Sequence, residues 1–262
     1  MIIPDWPAPS SIGAAVTTKA GGCSRAPYED FNLAMHVGDN PACVQSNRLD
    51  LLKLLDLPSE PAWLEQVHGT NVVNAKQASL SEMPLKADAS YSADGSDVCV
   101  VMTADCLPIL LCDTQGRQIA AVHAGWRGLA NGIIGKTLEA FDDTSGPIIA
   151  WLGPAISQPY FEVGAEVKTH FEKNNINNRE VFGREAFGPS VRESHWYADL
   201  YCLAKNQLRA SGVSAIYGGE YCTYSNSALS EKKRDSKRFF SYRRDGATGR
   251  MASLIWFKKT AN

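Results

Sequence analysis

The sequence has no Cys-x-x-Cys pair, few histidines, no surplus of basic residues and no long apolar run. Each absence excludes something. Seven cysteines (Cys23, Cys43, Cys99, Cys106, Cys112, Cys202 and Cys222) are scattered over 262 residues. An odd number without local pairing reads as reduced thiols, most of them small buried hydrophobes, and not as a disulfide framework. Lys plus Arg is 26 against 28 Asp plus Glu, a net charge of −2. That balance argues against a nucleic-acid binder, which needs a basic surplus or face. No segment approaches the roughly 20 apolar residues of a membrane span. Met1 to Pro7 also lacks the basic start and apolar stretch of a secretory signal. The expectation is a cytoplasmic protein with neither nucleic acid nor membrane among its partners.

The hydrophobic fraction of 44% and charged fraction of 21% describe a folded chain with a sizeable core. Ile12 to Thr18 reads as a strand. Asn40-Pro41 reads as an N-cap followed by proline at the first helical position, opening a helix that stops near Pro58. Trp63 to Val67 and Thr70 to Val73 read as short strands around Gly69. Val98 to Met102 is an apolar run suited to a strand buried on both faces. Leu107 to Cys112 and Gln118 to His123 are apolar and flank Asp113-Thr114-Gln115-Gly116-Arg117, a hairpin signal. Folding about Gln115 sets Cys106 opposite His123 or Ala124. Leu129, Ile133, Ile134, Leu138 and Phe141 then recur at helical spacing after a glycine-rich start beside Arg127 that suits an anion. Ile148 to Leu152 and Val213 to Tyr217 read as strands, and Val163 to Lys173 and Trp196 to Ala210 as helices. Asn174 to Asn178 reads as a polar loop. Phe239 to Arg243 and Arg250 to Phe257 read as a final hairpin around Asp245-Gly246. Ser230 to Lys237 is a charged loop. With no repeat and no linker, residues 1–262 read as one α+β domain.

Two imidazoles and a thiol, His68, Cys106 and His123, form a plausible zinc shell. Three protein ligands leave a fourth position for water or substrate. The same residues also read as a buried thiol with two core histidines, since their spacing matches no local zinc motif. A third reading makes Cys106 a nucleophile activated by His123, with Asp105 or another acid orienting the imidazole. His36 reads as part of a turn that could line the pocket, and His170 and His195 as surface residues. Arg48, Arg243 and Arg244 could meet a phosphate or carboxylate, or be ordinary solvated arginines. Trp126 reads as packing.

Several motifs carry a family likeness. They include Thr17-Thr18-Lys19-Ala20-Gly21-Gly22, Asn32-Leu33, Val37-Gly38-Asp39, Asn47-Arg48, Gln66-Val67-His68-Gly69 and Ala87-Asp88-Ala89. Further along come Thr103-Ala104-Asp105-Cys106-Leu107-Pro108, His123-Ala124-Gly125-Trp126-Arg127-Gly128, Trp151-Leu152-Gly153-Pro154, Cys222-Thr223-Tyr224 and Phe239-Phe240-Ser241-Tyr242-Arg243-Arg244. From about Ile12 to Phe257 the chain resembles the YfiH family. The charged stretch Ser230 to Lys237 is longer than the family's usual link. The resemblance implies a single layered α/β/β/α domain with mixed sheets, related to cysteine-hydrolase-like toxins. It implies metal ligands at His68, Cys106 and His123, with Zn2+ as the ion or Cu2+ in its place. Catalytic roles fall on the same three residues and substrate contacts on Arg48, Asn32, Asp105 and Arg127.

Three activities attach to that family. One is a laccase-like multicopper polyphenol oxidation. A multicopper oxidase needs a blue-copper site plus a further copper cluster, all rich in imidazole, and five histidines cannot supply them. The second is phosphorolysis of adenosine, inosine and methylthioadenosine, with deamination of adenosine. The third is removal of L-serine misplaced on UDP-MurNAc by a cysteine-type hydrolase editing peptidoglycan precursors. The expectation is a zinc-dependent purine nucleoside enzyme, a monomer or weak homodimer whose partners are a nucleoside and phosphate, with the amidase as alternative. A binding module with a structural metal ranks last, because three ligands with an open position fit a structural role poorly.

Overall fold

The computed structural model describes residues 1–142, 146–174, 186–213, 215–225, 227–228 and 238–259. The architecture follows from strands whose alternate side chains all find a covered face. Strands β4 (Val98–Thr103), β5 (Leu107–Asp113), β6 (Ile119–Ala124) and β14 (Met251–Phe257) are buried along their whole length. Such continuous apolar runs are stable only where both faces of a sheet are packed.

The larger sheet has six strands in the order β11 (Ala215–Gly218), β7 (Ile148–Leu152), β5, β6, β3 (Ala89–Ser92) and β2 (Val72–Asn74). It is mixed: β5 pairs antiparallel with β6 and β7, while β7 with β11 and β2 with β3 run parallel. Period-two alternation divides its side chains. Leu107, Ile109 and Leu111 of β5, with Val122 of β6, pack against Leu129, Ile133, Ile134, Leu203 and Leu208. These come from helices α3 (Trp126–Ala130), α4 (Ile133–Leu138) and α6 (Leu200–Ala210). Leu110, Cys112, Ile119 and Ala121 face the other way, against Cys99, Val101, Met251 and Ile255.

Those last four belong to a three-stranded sheet, β1 (Ile12–Val16)–β14–β4. Its far face presents Val98, Val100, Leu254 and Trp256 to Leu51 of α1 (Pro41–Leu54). The stack is therefore helix, sheet, sheet, helix, the layered α+β class expected. Asn40 caps α1 by accepting from Ala42 N at 2.9 Å, as its position before proline predicts.

Five local expectations are corrected. Trp63 to Val67 forms no strand, only a single bridge between Glu65 and Lys86. Phe239 to Phe257 is not a hairpin. Tyr242–Asp245 is a single helical turn, α7, and β14 inserts between β1 and β4. Its long-range partners outweigh the local turn signal of Asp245-Gly246. Helix α6 begins only at Leu200, capped by Asp199, because His195–Ala198 pairs as a strand, β10, with Glu162–Gly164 (β8) and Phe187–Pro189 (β9). For the same reason the helix expected from Val163 starts at Ala165, as α5 (Ala165–Asn174). The helical run from Leu129 to Phe141 breaks at Gly132, whose φ of 89° is left-handed. The loops expected at 175–178 and 230–237 lie outside the described residues. Among the described residues no helix is long and apolar enough to cross a membrane.

Candidate metal centre

β5 and β6 end side by side, Leu107 opposite Ala124 and Pro108 opposite His123. Cys106 therefore stands one place beyond the expected register, level with Gly125. The turn is the reason. Asp113 Oδ1 accepts from Arg117 N (2.7 Å) and Gln118 N (2.9 Å), so four residues, 114–117, fill the loop and shift the pairing. The shift explains Gly125: a Cβ there would lie 2.9 Å from His68 Cδ2 and 3.1 Å from Cys106 Sγ. Only glycine lets the start of α3 pass this close to both groups.

His123 is almost wholly buried, 3% exposed. The third residue, His68, arrives on the loop before β2 with φ 60°, a conformation non-glycine residues rarely adopt. One buried carboxylate holds the two imidazole residues. Asp88 Oδ1 accepts from His68 N and from His123 Nδ1, both at 2.8 Å. Asp88 Oδ2 accepts from Gly69 N at 2.6 Å and Val67 N at 3.3 Å. With Nδ1 of His123 committed to Asp88, its Nε2 is free to face Cys106. The ligand atoms of His68, Cys106 and His123 lie within 4.8 Å of one another. The two rings meet edge to face at 4.7 Å, and Cys106 Sγ is 3.7 Å from His68 Nε2.

Electrostatics reinforce the geometry. Burial pushes the Cys106 thiol up, but the charge and hydrogen bond of His123, then those of His68, outweigh it and bring the pKa down to about 6. Burial pushes His123 down, and Cys106 and Asp88 reverse that to about 9. The two shifts run in opposite senses, each group favouring the charged form of the other. Burial pushes the Asp88 carboxyl up, yet His123 and the backbone N–H groups of Gly69 and His68 hold it below the usual carboxylate range.

These residues fit a metal ion. A thiolate with two imidazoles is a borderline-soft set that suits zinc, and copper also takes such donors. A carboxylate behind the ligating histidine is the usual device for fixing ring orientation. Among the described residues, no other group of three His, Cys, Asp or Glu side chains comes together this way.

Two clefts meet at this centre. The larger, about 360 Å³, is lined by His36, Gln66, His68, Thr103, Cys106, His123, Tyr242 and Arg250, among others. The smaller, about 140 Å³, adds Trp126, Arg127, Phe161 and Arg243 to His68, Cys106 and Tyr242. His36, on the turn Met35–Val37, lies in the larger one. Its pKa is lowered by burial and by the charges of Arg250 and Arg48, which disfavour the protonated ring.

The other candidate residues divide. Arg127 lines the smaller cleft, its guanidinium 4.4 Å from the Trp126 ring centre. Asp105 also borders that cleft, but Oδ1 accepts from Thr223 Oγ1 and Oδ2 from Arg243 N, each at 2.6 Å. With φ 96°, it is a clamp fastening the Cys106 turn to the loop of Thr223 and to the helical turn α7. The acid orienting the His123 imidazole is Asp88, not Asp105. Asn32 and Arg48 line neither cleft. Asn32 is fully buried, donates to Ala34 O and Asp39 Oδ2, and accepts from Ala34 N and Arg250 N. Arg48 donates through Nε to Leu33 O and lies 3.9 Å from the Trp63 ring centre, and burial draws its pKa down to about 10. Arg243 reaches the smaller cleft. Arg244 turns inward to the carbonyls of Thr223, Tyr224 and Phe239. His170 bonds Asn131 Oδ1, and His195 bonds the Glu193 carbonyl.

Residue reasoning missed Gln66, Tyr242 and Arg250 as cleft residues, and Asp88 as the hinge of the centre. Asp88 did leave a signal. An acid between Ala87 and Ala89 at the head of a buried strand must have partners.

A helix–sheet–sheet–helix stack with a His₂Cys centre at the open end of its central hairpin defines a class that comparison makes definite. The family model described as multi-copper polyphenol oxidoreductase laccase matches residues 13–258. A Pseudomonas aeruginosa relative named purine nucleoside phosphorylase is 44% identical over 257 residues, covering 98% of each chain. An Escherichia coli K12 relative named purine nucleoside phosphorylase YfiH is 44% identical over 256 residues, again covering 98% of both. A solved Neisseria meningitidis structure superposes with TM-score 0.86 at 44% identity, covering 98% of this chain and 99% of that one. YlmD from Geobacillus stearothermophilus superposes with TM-score 0.81 at 28% identity, covering 95% and 93%. The chain belongs to the YfiH family.

Proposed function

We propose that this protein is a zinc-dependent purine nucleoside phosphorylase that cleaves adenosine, inosine and methylthioadenosine, and that it also deaminates adenosine. The observation that carries the reading is the convergence of His68, Cys106 and His123 where a ligand-sized cleft meets a smaller one flanked by two arginines. The names of the relatives agree with it. The larger cleft takes the nucleoside. Arg127 and Arg243 in the smaller one hold phosphate, whose oxygen attacks C1′ as the C1′–N9 bond breaks and the departing base gains a proton. Guanidinium groups suit this task through their paired donors. His68, Cys106 and His123 would hold zinc, which supplies Lewis acidity at the junction of the clefts and keeps the thiol deprotonated. Asp88 keeps the His123 ring in place, and Asp105 keeps Cys106 in place. In deamination, water replaces the 6-amino group of adenine, which leaves as ammonia.

The test is incubation of zinc-loaded protein with adenosine, with and without phosphate. Adenine and ribose 1-phosphate should appear only with phosphate, and inosine with ammonia should appear in either case. Absence of base, ribose 1-phosphate and inosine together would overturn the reading.

One observation favours the cysteine hydrolase as a second reading. Cys106, His123 and Asp88 form a line of nucleophile, base and orienting acid, with the thiol already shifted toward thiolate. Such an enzyme would release L-serine from UDP-MurNAc-L-Ser through a thioester on Cys106. Cys106→Ser separates the readings: serine release that survives it excludes the thiol nucleophile.

A further inference from the structure

Away from the metal centre, two thiols face one another. Cys23 lies in the loop after β1, and Cys43 in the first turn of α1. Cys23 Sγ is 3.4 Å from the Cys43 carbonyl oxygen, and Cys43 Sγ is 3.5 Å from the Cys23 carbonyl oxygen. The two residues thus exchange reciprocal side-chain contacts, and each thiol stands over the other's backbone. A hydrogen bond between the thiols raises the Cys43 pKa. Cys23 is exposed and Cys43 half-buried, whereas Cys99, Cys112 and Cys222 are sealed in the core. Both members of the pair are free thiols.

The surroundings hold the pair in place. Asn47, fully buried on α1, accepts from Cys23 N at 3.0 Å and donates to Ser24 Oγ and Asn32 O. Asn32 in turn accepts from the backbone N–H of Arg250, which borders the larger cleft. The loop carrying Cys23 is therefore tied to α1 by a buried amide before any covalent bond forms. Little chain entropy remains to be lost when the sulfurs join, the condition under which a disulfide closes readily.

We propose that Cys23 and Cys43 are a redox modification site, a dithiol that closes reversibly to a disulfide by exchange with a small-molecule disulfide of the glutathione class. The exposed Cys23 thiolate, its proton released to solvent, attacks one sulfur of oxidised glutathione. The glutathione S–S bond breaks, a Cys23–glutathione bond forms, and one glutathione thiolate leaves and is protonated. Cys43, losing its proton, then attacks the Cys23 sulfur and displaces the second glutathione. Two protein thiols are oxidised, and one glutathione disulfide is reduced to two thiols. The site uses no residue of the metal centre.

Tryptic mapping tests this, because Arg25 separates the two cysteines. Cleavage after Lys19, Arg25 and Arg48 places Cys23 in peptide 20–25 and Cys43 in peptide 26–48. Zinc-loaded protein is treated with oxidised glutathione, alkylated and digested without reductant. The expected product is peptide 20–25 joined to 26–48, two hydrogens lighter than the sum, lost on reduction and absent from Cys23→Ser and Cys43→Ser. In Cys43→Ser a glutathione adduct should accumulate on Cys23. A wild-type map in which the two peptides stay separate, as free thiols or as lasting glutathione adducts, overturns the proposal.

Discussion

Replacing Asp88 by asparagine removes a charge without changing shape, and the consequences can be worked out bond by bond. The carboxylate is fully buried and accepts from Val67 N, His68 N, Gly69 N and His123 Nδ1. An amide has only one acceptor oxygen. If that oxygen serves His68 N and His123, the amide NH₂ is thrust against Gly69 N at 2.6 Å and Val67 N at 3.3 Å, donor against donor. The reverse flip sets NH₂ against His68 N and His123 Nδ1. Either way two donors lose their partner, at about 1–3 kcal/mol each. The fold should lose about 3 kcal/mol, or about 6–12 °C in melting temperature. The orientation of His123 and the backbone of His68 should suffer as well, with metal affinity falling about 10–100-fold, or about 1.4–2.7 kcal/mol. Calorimetry reads the first effect, and zinc titration against a competing chelator reads the second. Linkage gives a further check. Because the folded pKa of Asp88 lies below its ordinary 3.8, its stabilisation is complete above that value and is lost as pH falls through the folded one. The stability gap between wild type and Asp88→Asn should therefore narrow in strong acid. A variant that melts early but binds zinc as tightly as wild type would refute the orienting role.

Gly125→Ala should leave the melting temperature within a few degrees, since φ −67° is open to alanine, while zinc affinity drops at least about tenfold as the new methyl displaces His68 or Cys106. Unchanged affinity would contradict the packing argument. In metal-stripped protein the difference in iodoacetamide consumption between wild type and Cys106→Ser should rise with pH through about 6, because the thiol titrates there. A midpoint near the ordinary value of about 8.5 would show that His123 does not stabilise the thiolate. Asn32→Ala should cost about 2–4 kcal/mol in urea unfolding by stranding Arg250 N and Ala34 N. A loss under about 1 kcal/mol would mean that water replaces the amide.

What the sequence disclosed and what it hid follow a physical line. Local chemistry was legible. The Asn40-Pro41 cap, the doubly buried strand Val98–Thr103 and the Leu107–His123 hairpin depend on neighbours in the chain. The hairpin alone brought Cys106 near His123, and the error of one register place came from the Asp113 side chain, which enlarges the turn. Contacts set by distant partners were not legible. Met251–Phe257 ignores its own turn to pair with Ile12–Val16 and Val98–Thr103. Asp105 reads from the sequence as an acid that could orient the His123 imidazole or touch substrate, yet Thr223 and Arg243, far away in sequence, occupy its oxygens. His68, Cys106 and His123 came together in the reading through family likeness as much as through spacing.

The placing of Met251–Phe257 in the middle of the small sheet bears on how the molecule is made. Among the described strands, Ile12–Val16 pairs in that sheet with this one alone, and the helix face carrying Leu51 packs partly on Leu254 and Trp256. While the chain is being synthesised, an entire layer waits with apolar surface uncovered until residue 257 emerges. The three ligands exist long before then, but the cleft walls Tyr242, Arg243 and Arg250 do not. Assembly of the pocket is thus timed to the end of this stretch, and a nascent protein halted before it would be both inactive and prone to aggregate.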